Sequence, residues 1–379
     1  MDRFVTKTEL AVYADSEAHC PPGSRVLTKY SYIQDIRKVV ETAEVLVILD
    51  AMSFPYELFE SDQWEIPLVF LCPVELAPDD LMIVFGRILF EKITFFDRVI
   101  CPNDTTWTML AAKYKWAESL RLTAAGTCAT QILEAVEYWI QRELQYSFEL
   151  GEVKYEPCSY WKDRGAALAS CAPAKAVGSV RHGIRANKAM HVQQAYILWH
   201  ALDPLLGSVA TRQTRQVLEI GSGVGRWAYG FRQRQLDYMG VDISPDMIRV
   251  AQQNYPLCRF EVLNEGLDIP CRDECKDICM TVTVLHHNEL HVKRKLVRQM
   301  FRITRPGGLL VFLEDFVAAR KNASATVYPL SILAFNELLF GVTAGRITLE
   351  FFQAIKYRHM NQYRSGLLIA RKMAIPLRR

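Results

Sequence analysis

Three glycines and two carboxylates carry the clearest chemistry in this chain. In "VLEIGSGVGRW", residues 217–227, Gly221, Gly223 and Gly225 follow an apolar run in a G-x-G-x-G spacing, with Ser222 between the first two and Glu219 ahead of them. Such a loop lets backbone come close to a ligand at a strand-to-helix turn. The dinucleotide version is spaced G-x-G-x-x-G and seats a pyrophosphate at the helix N-terminus. Here the spacing differs, and a carboxylate at Glu219 disfavours a phosphate and suits a cationic or ammonium-bearing ligand. Asp242, in "YMGVDISPDMI", lies 17 residues beyond Gly225 at the end of the next apolar run. A carboxylate in that place can accept hydrogen bonds from both hydroxyls of a ribose. Taken alone, the glycines mark no more than a tight turn; the carboxylates are what point to a ligand.

A second candidate cluster is "PCRDECKDIC", which places Cys271, Cys275 and Cys279 four residues apart. Structural zinc sites use paired C-x-x-C spacing, and Cys279 falls within a strand-like run. These cysteines are expected as free thiols packed like small hydrophobes, with no metal.

The elements that must hold these residues follow from apolar periodicity. From Arg215 onward, strands are predicted near 215–220, 237–241, 258–262, 277–283 and 308–314, closing on an antiparallel pair in "RITLEFFQAIKY" and "SGLLIARKM". The first 145 or so residues alternate buried-strand patterns at 44–50, 67–72, 98–102 and 120–125 with helical patterns at 79–96, 104–115 and 127–147. Between them, residues 148–212 loosen into polar, Gly- and Ala-containing sequence ending in a helix predicted over 189–206. The expected organisation is a smaller open α/β domain over 1–147, a helical linker or lid over 148–212, and a second α/β domain over 213–379.

The bounds agree with a two-core protein. At 379 residues the chain is long enough for two cores, and half of it is apolar. The net charge of +3 gives no footprint for nucleic acid, and the basic tail "RKMAIPLRR" is most simply a solvated terminus. The acidic N-terminus lacks the apolar core of a secretory signal. The greasiest run, 81–96, is interrupted by Arg87, Glu91 and Lys92 and predicts a buried helix, not a membrane span. Ten cysteines without a signal point to reduced thiols and a cytoplasmic location.

"VLEIGSGVGRW", "GVDISPDMI", "FEVLNEGLDIP", "KDICMTVTVLHHNEL" and "RITRPGGLLVFLEDF" occur in that order. Together they resemble the successive motifs of class I S-adenosylmethionine-dependent methyltransferases, over roughly residues 155–379. The resemblance implies a Rossmann-like domain with S-adenosyl-L-methionine as cofactor. It places Glu219, Gly221 and Gly223 near the methionine end and Asp242 on the ribose, with Ser222, Gly225 and Ile243 also binding the cofactor. Glu265 falls near the adenine, where the family usually has Asp, and Asn264 can share that role. "RPGG" at 305–308 resembles the turn before the family's fifth strand. The preceding segment, with Tyr160, Trp161 and Arg164, resembles one that folds over the cofactor; the alternative for Tyr160 and Trp161 is anchoring a helix on the sheet.

The acceptor is narrowed by what is absent. The Asn/Asp-Pro-Pro-aromatic loop of enzymes that methylate exocyclic base amines is replaced here by "LHHNEL", and the Pro-Cys of "EPCSY" lies far upstream of the place where pyrimidine-methylating enzymes carry theirs. "VLHHNEL" and "FLEDF" resemble the small-molecule branch, including natural-product sugar O-methyltransferases, which implies that His286, His287 and Asp315 face the acceptor. A hydroxyl needs a base, and an imidazole oriented by a carboxylate suits that role. In the alternative, one His packs under the sheet and the other lines the pocket. The leading expectation is O-methylation of a small molecule. N- or C-methylation, or a cofactor-sensing module without catalysis, are the other outcomes.

"FDRVICPNDTTWTMLAAKYKW" resembles the end of the acceptor-side half of a GT-B glycosyltransferase, but the nucleotide-sugar half is missing. Asp50 ends a strand as in receiver domains, yet Cys101 stands where that fold wants a Lys before Pro102. The first domain is expected to be noncatalytic, docking the acceptor or joining two copies in a homodimer.

Overall fold

The computed structural model describes residues 10–14, 25–43, 45–51, 53–55, 58, 68–71, 98–101, 108, 121–124, 131–132, 134–136, 138–139, 155–178, 184–207, 215–316, 328–357 and 365–374. The chain divides into two units, Met1–Tyr146 with Ser179–Tyr196, and Ser147–Gly178 with Ile197–Arg379. The segment read as a linker is thus apportioned to both. It forms helices Pro157–Leu168, Pro173–Val177 and Ile184–Gly207.

The first unit holds six parallel strands, β1 (Leu10–Tyr13), β2 (Arg25–Leu27), β3 (Val45–Ile48), β4 (Leu68–Leu71), β5 (Arg98–Cys101) and β6 (Arg121–Thr123), in the order β2-β1-β3-β4-β5-β6. β3 to β6 lie on the four apolar runs. β1 and β2 fall outside the apolar runs from which strands were predicted. Ile132, Val136 and Trp139 pack against Val45, Val47, Phe70 and Ile100. Asp50 is a loop carboxylate, accepting from the Ser53 N–H at 3.2 Å. The helix predicted over 79–96 lies outside the described residues, as does that over 104–115 apart from residue 108.

In the second unit, β7 (Gln216–Ile220), β8 (Asp237–Asp242), β9 (Arg259–Val262), β10 (Lys276–Val282), β11 (Thr304–Asp315), β12 (Ile347–Ile355) and β13 (Ser365–Lys372) form one sheet in the order β12-β13-β11-β10-β7-β8-β9. β7 to β11 are parallel, and β12 and β13 return antiparallel. The central strands are buried along nearly their whole length, as a sheet covered on both faces requires. Helix Leu290–Ile303 contributes Leu296, Val297 and Met300 to this core, and helix Pro245–Asn254 buries Met247, Ile248 and Ala251. Each of the larger of these buried side chains contributes about 1.5–3 kcal/mol. Ser244 caps the latter helix through the Met247 N–H, with Pro245 at its first position.

β11 begins earlier than predicted because "RPGG" is part of it. The pairing with β10 shifts register between Lys276 and Ile278, opposite this stretch, and Gly307 takes φ +80° there. The chain runs β7, β8, β9 outward on one side and then returns to β10 on the other. That reversal leaves a crevice over the C-terminal ends of β7 and β10, where ligands of open α/β sheets bind.

Candidate active site

That crevice is a pocket with about 860 Å³ of empty space, part of it open solvent. Its floor is the loop after β7. Gly221, Gly223 and Gly225 have φ of +74°, +53° and +80°, conformations that L side chains rarely adopt. A β-carbon at Gly221 would collide with Val284 and one at Gly223 with Val177. The loop is thereby pressed between the turn after β10 and the helix Pro173–Val177. Gly221, Ser222 and Gly223 line the pocket, whereas Gly225 shapes the turn behind it.

Asp242, at the end of β8, fixes this loop. Its Oδ2 accepts from the Gly223 N–H at 2.8 Å and its Oδ1 from the Ser244 N–H at 2.9 Å. The Ile243 N–H also bonds to the carboxylate, which keeps acceptor capacity for a ligand hydroxyl, and Asp242 and Ile243 both line the pocket. Burial raises the Asp242 pKa, against these backbone hydrogen bonds.

Glu219 lines the same pocket and is 1 % exposed, with the Tyr238 hydroxyl donating to its Oε2. Burial pushes its carboxyl from an ordinary 4.5 up to about 8, while the Tyr238 bond and the Arg226 charge pull the other way. The folded state therefore holds a proton that the unfolded chain gives up. The stability this gives is complete below pH 4.5 and is lost as pH rises through about 8. A cationic ligand group reverses the preference, since only the ionised carboxylate pairs with it. Calorimetry with S-adenosylhomocysteine at neutral pH, in buffers of different ionisation enthalpy, should show net proton release that disappears in Glu219→Gln. Wild-type binding without proton release would contradict this.

The opposite wall is the turn after β10. Thr283 opens it at φ +55°, strained for a β-branched residue, and its N–H is held by the Leu313 carbonyl at 2.8 Å. Glu314, 2 % exposed near the end of β11, clamps the rest. Its Oε1 accepts from the Val284 N–H at 3.1 Å, and its Oε2 lies 3.0 Å from His286 Nδ1. His286 Nε2 stands 4.0 Å from Asp315 Oδ2, and Asp315 accepts from the Ser365 hydroxyl. His286 is thus buried between two carboxylates and does not line the pocket. His287 does. Its ring centroid is 4.1 Å from that of His286 and 4.9 Å from the Trp161 ring, which meets it edge-on.

Trp161 reaches the pocket from helix Pro157–Leu168, which Glu156 caps by accepting from Cys158 and Ser159 N–H. Tyr160 and Arg164 stand behind it. Arg164 donates to the Tyr160 hydroxyl at 3.1 Å and to the Lys175 and Gly178 carbonyls, with its guanidinium 4.8 Å from the Trp161 ring centroid. Glu265 departs from its expected place. Its carboxylate is 77 % exposed and pairs with Lys162 at 2.7 Å, while Asn264 turns its side chain to the Asp268 N–H. The wall there is apolar, built by Leu263 and Leu267. Of the cysteines, Cys279 is buried in β10, its thiol pushed up to about 12 by burial, and Cys271 and Cys275 pack on the core.

Lys293 was not foreseen. Although 2 % exposed, it donates to the Asn288 carbonyl and, at 2.6 Å, to the Tyr328 carbonyl. The Tyr328 N–H in turn donates to the His286 carbonyl at 2.6 Å. One buried ammonium thereby ties the histidine turn to the chain before helix Ile332–Thr343. Lys293→Met should lower unfolding free energy in urea by about 1–3 kcal/mol by stranding these carbonyls; an unchanged midpoint would refute the tie.

Glycine loop, Asp242 and histidine turn share one crevice, and residues 217–308 match the family model described as a methyltransferase domain. The second unit carries a methyltransferase domain. Its cofactor is S-adenosylmethionine. An uncharacterized methyltransferase of Mycobacterium sp. strain KMS is 33 % identical over 109 residues, which are 28 % of this chain and 42 % of that protein. One from Mycolicibacterium gilvum is 33 % identical over 113 residues, 29 % of this chain and 44 % of the other. The chain thus spans less than half the length of these relatives. A solved S-adenosylmethionine-dependent methyltransferase of Methanosarcina mazei aligns with 18 % identity and a TM-score of 0.37, covering 45 % of this chain and 98 % of that one. Among the described residues, no helix is long and apolar enough to cross a membrane.

The pocket suits this cofactor on its own terms. The Ser222 Oγ is buried with no hydrogen-bond partner among the described residues, and it belongs to a residue lining the pocket. Glu219 offers a carboxylate to an ammonium, Asp242 retains acceptor capacity, and Leu263, Leu267 and Met247 give an apolar wall. Thr283, Val284, Leu263 and Leu267 escaped sequence reasoning because such residue types carry no chemical signal apart from their place after a strand. Glu314 stood beside Asp315 in "LEDF", and only the fold shows which of the two grips the histidine turn.

Proposed function

We propose that the methyltransferase domain methylates a hydroxyl oxygen of a small molecule, a glycosylated or polyhydroxylated metabolite being the acceptor class. When bound, S-adenosylmethionine supplies an electrophilic methyl on a sulfonium. Glu219, Ser222 and Asp242 hold the cofactor, and Trp161 covers the pocket against water. His287 takes the acceptor proton, imidazole being a side chain suited to general-base work. The observation carrying this proposal is that His287 lines the cofactor pocket while its neighbour His286 is engaged by Glu314. Alignment of acceptor and methyl supplies the remaining rate enhancement.

The first unit is proposed to be noncatalytic. The test is S-adenosylhomocysteine release by the full chain with a panel of hydroxylated glycosides, polyols and phenols, each paired with its O-blocked counterpart. Release should depend on the free hydroxyl. Release with amines alone would replace the oxygen acceptor, and cofactor binding without release from any compound would favour a sensing module.

A further inference from the structure

The second unit has another cavity, at the pole of the sheet away from the cofactor pocket, where parallel strands begin instead of end. Gln216 and Lys276 open β7 and β10, Arg259 opens β9, Arg305 lies at the start of β11, and Arg272 comes from the loop before β10. The space is about 820 Å³, part of it open solvent, comparable to the cofactor pocket. Four cationic side chains line it, and no Asp or Glu is among its described lining residues.

These cations differ in how far they are neutralised. Arg305 donates from one nitrogen, Nη1, to both Asp277 oxygens at 3.0 Å, and Arg259 pairs with Glu261. Lys276 is only 9 % exposed, and its ammonium has a single hydrogen bond among the described residues, to Gln216 Oε1 at 3.4 Å. Gln216 in turn gives its amide N–H to Asp237 at 2.8 Å, so that its carbonyl is the part facing Lys276. Arg272 is exposed and has no carboxylate within ion-pair distance among the described residues. A buried ammonium with one long contact leaves two donors unused in a medium that penalises bare charge. An anion in the cavity would satisfy it.

We propose that this cavity is a binding site for a dianionic oxyanion of the phosphate class, free phosphate or a phosphate monoester. Two cations lacking a carboxylate, Lys276 and Arg272, match its charge. A tetrahedral group also presents several oxygens at once to an ammonium and to guanidinium forks approaching from different strands. The site is independent of methyl transfer, since none of its residues lines the cofactor pocket.

The experiment is calorimetric titration of the full chain with inorganic phosphate and, separately, glycerol phosphate, at ionic strength fixed with chloride and with saturating S-adenosylhomocysteine present. Saturable binding of either is expected, and the tighter one identifies the source. Lys276→Met should weaken it by about 10- to 100-fold, as expected for loss of a charged hydrogen-bond donor, and leave S-adenosylhomocysteine affinity unchanged. Arg272→Ala, at an exposed position that does not threaten folding, should weaken it less, and Asp242→Ala should leave it intact. No binding with S-adenosylhomocysteine bound, binding that does not saturate, or binding that survives both Lys276→Met and Arg272→Ala would overturn the proposal.

Discussion

Replacing His287 with alanine should lower kcat by about 10²- to 10⁴-fold while leaving S-adenosylhomocysteine affinity within a few-fold of wild type, the signature of a lost general base. The asymmetry between the two histidines sharpens this expectation. His286 is held by Glu314 at 3.0 Å and does not line the pocket, so its removal acts through the turn, disturbing backbone that also bonds Tyr328. His287 is itself placed by its carbonyl, which accepts from the Tyr155 hydroxyl at 3.1 Å, and by Trp161 against its ring. In wild type, kcat/KM should carry the pH dependence of a base that must be unprotonated, and that dependence should be lost in His287→Ala. Near-normal turnover in His287→Ala would remove the base and shift weight to an amine or carbanion acceptor, for which alignment suffices.

The second large effect is expected at Asp242. Asp242→Ala should weaken cofactor binding by about 1–3 kcal/mol, roughly 5- to 150-fold, because it strips charged hydrogen bonds. It also frees the Gly223 and Ser244 N–H groups, so the glycine loop loses its brace together with its ligand contact. Calorimetry on the folded variant measures this directly. Unchanged affinity would mean that Asp242 serves the loop alone.

Much of the second unit was legible from residue order. The strands of its parallel core fall on the apolar runs to within a few residues, because strands buried on both faces write a continuous apolar signal. Glu219 and Asp242 were legible for a related reason: a carboxylate closing an apolar strand is conspicuous. The roles within "HHN" and "LED" were not. Adjacent residues of one turn differ in direction, not type, and only three-dimensional placement sends His286 to Glu314 and His287 to the pocket. Glu265 was read from the family's adenine place, and the structure puts its carboxylate at the surface, paired with Lys162. Lys293 was invisible for the opposite reason. A lysine on an amphipathic helix ordinarily reads as solvated, and its burial depends on Tyr328, 35 residues away in sequence.

The central claim, that this pocket moves a methyl group onto oxygen, is tested most directly by following the group itself. Incubating the full chain with S-adenosylmethionine labelled with carbon-13 in its methyl, together with a hydroxylated acceptor that supports S-adenosylhomocysteine release, and recording the carbon spectrum of the product gives the answer. The label is predicted to appear as an O-methyl resonance in wild type and to be strongly reduced in His287→Ala. A label found on nitrogen or carbon, or equal O-methylation by both proteins, would contradict it.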